Sequence, residues 1–196
     1  MLSILTLSIV GILGASIIFL LIAIVGVIVF SRKIRLSNIA ENVTPLTVLK
    51  PVCGLEPKLM ENLRSFCDQD FPIYQIIFAV QNSNDPAISV IEKVIAAFPD
   101  KDLSLVIDDQ IHGMNLKASN LVNMFKKARY DIIIVADSDV RVRRDYLKSV
   151  SNPFIDNKVG AATCLYSGTG GNNLASRLGM MFINDLFKRN IFSHIT

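Results

Sequence analysis

Apolar positions recur along this chain with changing period, and the first 30 residues have no polar face at all. Residues 1–30 contain no charge and are dominated by Ile, Leu, Val, Gly and Ala. About 20 such residues cross a bilayer, so the segment predicts a membrane-spanning helix. A signal peptide would begin with a basic region and carry a shorter apolar core. No Lys or Arg precedes this run, which favours an uncleaved anchor. Gly11, Gly14 and Gly26 fit no strict G-x-x-x-G and read as ordinary membrane-helix glycines. Residues 31–45 read as a juxtamembrane linker, its polar part spanning 37–45.

From residue 46 the pattern alternates between short β-branched runs and segments of helical spacing. Leu46-Thr47-Val48-Leu49-Lys50 reads as a strand, and Pro51 and Gly54 punctuate the loop after it. Residues 57–67 predict a helix with Pro57 near its first turn and Leu59, Leu63 and Phe66 on one face. Residues 75–81 predict a second strand. A helix over 87–98 follows, with Ile88, Ile91, Val94 and Ile95 at helical spacing. Strands over 103–107 and 131–136 flank a helix over 115–128. A helix over 144–154 and a fifth strand over 159–166 complete the alternation. Such β-α-β-α order predicts an α/β fold with a mostly parallel sheet covered by helices on both faces. The glycine-rich stretch 168–173 lacks phosphate-loop spacing and reads as a flexible loop. Residues 174–192 form an amphipathic segment with Leu178, Met181, Phe182, Leu186 and Phe187 apolar. It suits a core helix, the commoner case, or a helix lying on a membrane surface.

Charge refines this picture. Arg32, Lys33 and Arg35 directly follow the apolar run. By the positive-inside rule they place the downstream domain on the cytoplasmic side of a single span. The net charge of +3 is small, and no basic stripe suggests nucleic acid. Cys53, Cys67 and Cys164 have no C-x-x-C spacing, which predicts small buried side chains in a reducing compartment. His112 and His194 are too few and too far apart for a zinc site.

The candidate chemistry sits at the carboxyl ends of the predicted strands, where ligands bind in an open α/β sheet. Asp137-Ser138-Asp139 ends the fourth strand. Residues one apart on an extended chain point the same way, so Asp137 and Asp139 can face one divalent cation, Mg²⁺ or Mn²⁺. The same pattern also occurs in turns. Lys50-Pro51 ends the first strand, the run Gln81 to Pro86 ends the second, and Lys117 opens the third helix of the domain. Asp85 suits a uracil N–H or a ribose hydroxyl, with a turn or helix-cap carboxylate as the alternative. Lys117 near a helix N-terminus suits a diphosphate, with a solvated lysine as the alternative. Asp108 and Asp109 read as loop carboxylates, Asn120 and Asn123 as helix-surface or packing residues, His112 as structural. Arg141, Arg143 and Arg144 read as a solvated loop face.

Five stretches together resemble a known family. They are Val48-Leu49-Lys50-Pro51, Gly54-Leu55-Glu56-Pro57, Asp85-Pro86-Ala87, Asn115-Leu116-Lys117 and Asp137-Ser138-Asp139-Val140-Arg141-Val142. They look like the ceramide glucosyltransferases, inverting enzymes of GT-A fold. Residues 61–67 and 163–166 look closer to the bacterial, hopanoid-biosynthesis-associated branch. The resemblance spans about residues 46–184. It implies that Asp85 contacts the nucleoside, that Lys117 lies near the diphosphate, and that Asp137 and Asp139 complete a metal-binding D-x-D. Lys50 and Pro51 join Asp85, Lys117 and Asp137 as expected nucleotide-sugar contacts. It further implies a UDP-sugar donor, a lipid acceptor and a membrane location.

The family's third acidic motif, which supplies the catalytic base, and its [QR]-x-x-R-W motif are expected beyond Thr196. Residues 46–196 are therefore read as a C-terminally incomplete donor-binding domain, inactive alone in sugar transfer. A UDP-sugar- and metal-binding module without turnover is the alternative function, and a non-catalytic membrane partner a third.

Overall fold

The computed structural model describes residues 2–36, 44–164, 166–169 and 173–192, with the backbone alone at 2–5, 27, 30–36 and 185–192. The chain divides into two compact units, Ile39–Ala162 and a second made of Met1–Asn38 with Thr163–Thr196.

The first unit holds a four-stranded parallel sheet. Its strands are β1 (Leu46–Pro51), β2 (Tyr74–Val80), β3 (Asp102–Ile107) and β4 (Ile132–Val135), in the order β3-β2-β1-β4. Between them run α2 (Leu59–Cys67), α3 (Ala87–Ala97) and α4 (Leu116–Phe125), numbered after the N-terminal helix α1 (Leu2–Leu36). Parallel strands need crossovers, and each connection supplies a helix for one sheet face.

The period-2 alternation of the strands sorts side chains between those faces. Leu46, Val48, Ile76, Phe78 and Val80 pack with Leu59, Leu63, Phe66, Ile91 and Val94 of α2 and α3. Leu49, Ile77 and Ala79 pack with Met124 of α4 on the other face. The expected apolar face of α2 is therefore observed. The helix starts at Leu59 rather than Pro57, because Pro57 and Lys58 form a turn with Lys58 left-handed at φ 62°.

Two expectations fail in the C-terminal part. The helix expected over 144–154 is split into α5 (Tyr146–Ser151) and a 3₁₀ turn, Asn152–Ile155. Pro153 has no amide hydrogen to continue an α-helical ladder. The expected fifth strand over 159–166 is not formed among its described residues. Gly160-Ala161-Ala162 is poor in β-branched side chains, and residues 160–164 are exposed, so no buried face rewards extension.

In the second unit, α1 carries one span, Thr6–Gly26, of 21 residues and mean hydropathy 2.8, long and apolar enough to cross a membrane. The helix continues to Leu36, through the basic cluster, where a linker was expected from residue 31. The polar stretch 37–43 lies outside the described residues, as do 165 and 170–172 of the expected strand and glycine loop. α6 (Leu174–Phe192) occupies the expected amphipathic segment. Leu178, Met181 and Phe182 on it are exposed rather than buried in a core. The Gly168 amide donates to Asn184 Oδ1 on this helix at 2.8 Å. The described cysteines are free, and only Cys67 is buried; Cys53 and Cys164 are exposed, contrary to expectation.

Candidate active site

The β1–β4 ladder ends where the aspartate pair begins. The Ala136 amide donates to the Leu49 carbonyl at 3.1 Å, and the chain then leaves the sheet. The Val140 amide returns to the Asp137 carbonyl at 3.3 Å, closing a turn whose two central residues are Ser138 and Asp139. Ser138 is buried, while Asp137 and Asp139 are exposed. Strand parity sends Ile133, Val135 and Asp137 toward the α4 face of the sheet. There Lys117, second residue of α4, pairs with the Asp137 carboxylate at 2.5 Å. Asn115 caps the same helix through its side-chain oxygen, which accepts from the Ala118 amide at 3.1 Å.

α2 holds the chain downstream of the turn. Ser65 Oγ accepts from the Val142 amide at 3.1 Å. Buried Gln69 donates to the Arg143 carbonyl at 2.7 Å and accepts from the Leu147 amide at 3.0 Å. Arg141 and Arg144 make exposed ion pairs with Glu61 and Asp68. Sequence reasoning missed Ser65 and Gln69, whose residue types carry no signal of a contact more than 70 positions away.

Asp85 stands at the β2–α3 connection and staples it to the loop after β1. Its two carboxylate oxygens accept from the Gly54 amide at 2.9 and 3.1 Å, and Oδ1 also accepts from Ala87 at 2.8 Å. Gly54 sits at φ 69°, which a glycine adopts without strain. The cap-and-turn alternative for Asp85 is thus realised in its bonding, with acceptor capacity left on both oxygens. Beside this connection lies an open groove of about 400 Å³ lined by Gln81, Asn82, Ser83, Ile107 and Asp109. It lies at the carboxyl ends of β2 and β3.

Lys50 and Pro51 do not line the site as expected; both are buried beneath it. Lys50 is fully enclosed, its Nζ donates to the Asp137 carbonyl at 2.7 Å, and it lies 3.7 Å from the Phe66 ring centroid. Burial lowers its pKa to about 7, against the opposing pull of Asp137 and Asp139. Asn120 and Asn123 are buried packing residues, and Asn123 Oδ1 lies 2.6 Å from His112 Nε2, a structural role for that histidine.

Among the described residues no cluster of three or more His, Cys, Asp or Glu side chains would hold a metal. The donor set here is two exposed carboxylates on one turn. Asp139 makes no hydrogen bond or ion pair among the described residues, and the Asp137 carboxylate is paired only with the exposed, displaceable Lys117 ammonium. Hard carboxylate oxygens with open positions suit Mg²⁺ or Mn²⁺ completed by diphosphate oxygens and water. The residues present fit such an ion.

A parallel sheet with a D-x-D turn at its carboxyl edge narrows the possibilities, and comparison with known proteins decides among them. The model of glycosyl transferase family 21 matches residues 15–194. The chain belongs to this family. It is 34% identical over 117 residues to a ceramide glucosyltransferase of Komagataella phaffii, covering 58% of this chain and 23% of that enzyme. It is 27% identical over 141 residues to ceramide glucosyltransferase 3 of Caenorhabditis elegans, covering 70% and 31%. The chain thus spans under a third of either relative. Among solved structures it resembles the mannosyltransferase PcManGT from Pyrobaculum calidifontis in complex with GDP-Man and Mn²⁺. The TM-score is 0.58 with 26% identity, covering 64% of this chain and 36% of that one. The family 21 chain has the GT-A fold, with one apolar N-terminal helix added.

Proposed function

We propose that this family 21 chain is the anchored, donor-binding part of an inverting glycosyltransferase. It moves a sugar from a UDP-sugar to a lipid hydroxyl, with ceramide or a hopanoid alcohol as the acceptor type. The observation that carries the reading is the Asp137-Ser138-Asp139 turn facing Lys117 at the carboxyl edge of a family 21 sheet. The Mn²⁺ and GDP-Man of the Pyrobaculum structure and the lipid named in the relatives' activity support it.

In this reading the nucleoside occupies the groove beside Gln81 and Ile107, with Asp85 accepting from its base or ribose. The diphosphate lies between Lys117 and the aspartate pair. Asp137 and Asp139 hold the divalent cation, whose chemistry is to neutralise charge developing on the departing diphosphate. The acceptor oxygen bonds to the anomeric carbon as the bond from that carbon to the diphosphate breaks, which inverts the centre. The hydroxyl proton passes to a carboxylate base, a role that no residue of this chain is assigned. α1, cytoplasmic at its basic end, tethers the domain to the lipid phase and raises the local concentration of acceptor.

Isothermal titration of the detergent-purified chain tests the reading. UDP and GDP are each titrated with Mn²⁺ and with EDTA. Binding of UDP that exceeds GDP and disappears with EDTA is expected. Metal-independent binding, or none, would reject the site.

A further inference from the structure

Lys50 is the one charged side chain buried among the described residues, and the proposed chemistry does not use it directly. A lysine at 0% exposure gives up the solvation of its ammonium. A methionine of similar length would fill the same space against Phe66 without that loss. β1 alternation puts Lys50 on the α2 side, in line with Leu46 and Val48. From there its ammonium reaches past the last rung of the β1–β4 ladder to the Asp137 carbonyl, at 2.7 Å. That carbonyl is also the acceptor that closes the turn to Val140. Its direction sets the plane of the Asp137–Ser138 peptide, and so the departure of both aspartate side chains. The Phe66 ring supplies the second contact, 3.7 Å below the ammonium.

We propose that Lys50 is a positioning residue: from beneath the site it clamps the Asp137 carbonyl and so fixes the turn that aims the Asp137 and Asp139 carboxylates. The inference rests on reading those aspartates as the cation-holding pair. It makes Lys50 a group retained for the site at the expense of the fold. Its charge acts on a bound cation in the opposite sense, by repulsion. The two roles therefore predict opposite changes when the ammonium is removed.

The test uses the full chain in detergent, wild type and Lys50→Met. Thermal unfolding is measured without metal. Mn²⁺ affinity in the presence of UDP, and the electron paramagnetic resonance spectrum of the bound ion at saturation, are measured with it. The expected result is an unfolding midpoint equal to or above that of wild type. Mn²⁺ affinity should fall about ten-fold, as for the loss of a group that orients a metal ligand, and the zero-field splitting of the bound ion should change. Unchanged or tighter Mn²⁺ binding by Lys50→Met would overturn the proposal and leave Lys50 as a repelling charge. A lowered midpoint, or failure to fold, would overturn it in favour of a purely structural lysine. Failure of wild type itself to bind Mn²⁺ with UDP would instead remove the aspartate pair on which the inference rests.

Discussion

Lys117 and Asp137 neutralise each other at the mouth of the site, both about half exposed. An exposed pair of this kind is worth at most about 1 kcal/mol, so a cation or a diphosphate can separate it. In the proposed site the ammonium therefore has two opposite effects. Before the nucleotide arrives it competes with the metal for Asp137; afterwards it contributes to holding the diphosphate. Lys117→Met should tighten binding of Mn²⁺ alone by about two- to five-fold, the equivalent of removing such a pair. With UDP present the same variant should weaken binding about ten-fold, through loss of a charge-assisted contact. Titration of Mn²⁺ with and without UDP measures both, and shifts in the same direction would contradict the shared role.

At the scale of elements, three connections are tied together before any ligand binds. The β2–α3 connection holds the loop after β1 through Asp85, and α2 holds the chain after β4 through Ser65 and Gln69. Asp85→Ala leaves the Gly54 and Ala87 amides without that acceptor. It should lower the unfolding free energy by about 1–3 kcal/mol and speed hydrogen exchange at Gly54. Unaltered exchange there would mean that the staple is not formed in solution. The elements themselves were legible because burial imposes a period: Leu59, Leu63 and Phe66 marked a helix face, and Leu46 to Lys50 a strand. Candidate positions at the sheet edge followed from topology, since Asp85, Lys117, Asp137 and Asp139 all end strands or begin helices. The partners were not legible. That Lys50 turns inward to a carbonyl 87 positions away, and that Gln69 bridges two distant backbone groups, depends on packing between elements. The fifth strand misled because an apolar stretch signals extension only when a neighbouring strand and a buried face reward it.

For the molecule as a whole, three buried groups set how stability should vary with pH. Burial brings Lys50 from its ordinary 10.5 down to about 7. Its contribution is therefore present above pH 10.5 and is lost as pH falls towards 7. Burial pushes Cys67 from 9.0 up to about 12 and Tyr74 from 10.0 up to about 12. Their contributions are present below 9 and 10 and are lost as pH rises towards 12. The unfolding midpoint of the metal-free chain should thus climb from pH 7 to about 9, level off, and fall above about 10. Lys50→Met should remove the climb and keep the fall; a wild-type midpoint flat between pH 7 and 9 would contradict this. Across the membrane, the uncharged span and the basic residues Arg32, Lys33 and Arg35 predict that a reporter fused after Asn42 is cytoplasmic. A reporter active on the other side would reverse the topology.

The aspartate pair is the centre of the account, and a double-mutant cycle tests it most directly. UDP affinity is measured with Mn²⁺ and with EDTA for wild type, Asp137→Ala, Asp139→Ala and the double variant. If both carboxylates hold one cation, each single substitution removes most of the Mn²⁺-dependent affinity, and the double variant loses little more than the worse single one. Mn²⁺-dependent UDP affinity that is unchanged in both single variants would contradict the account.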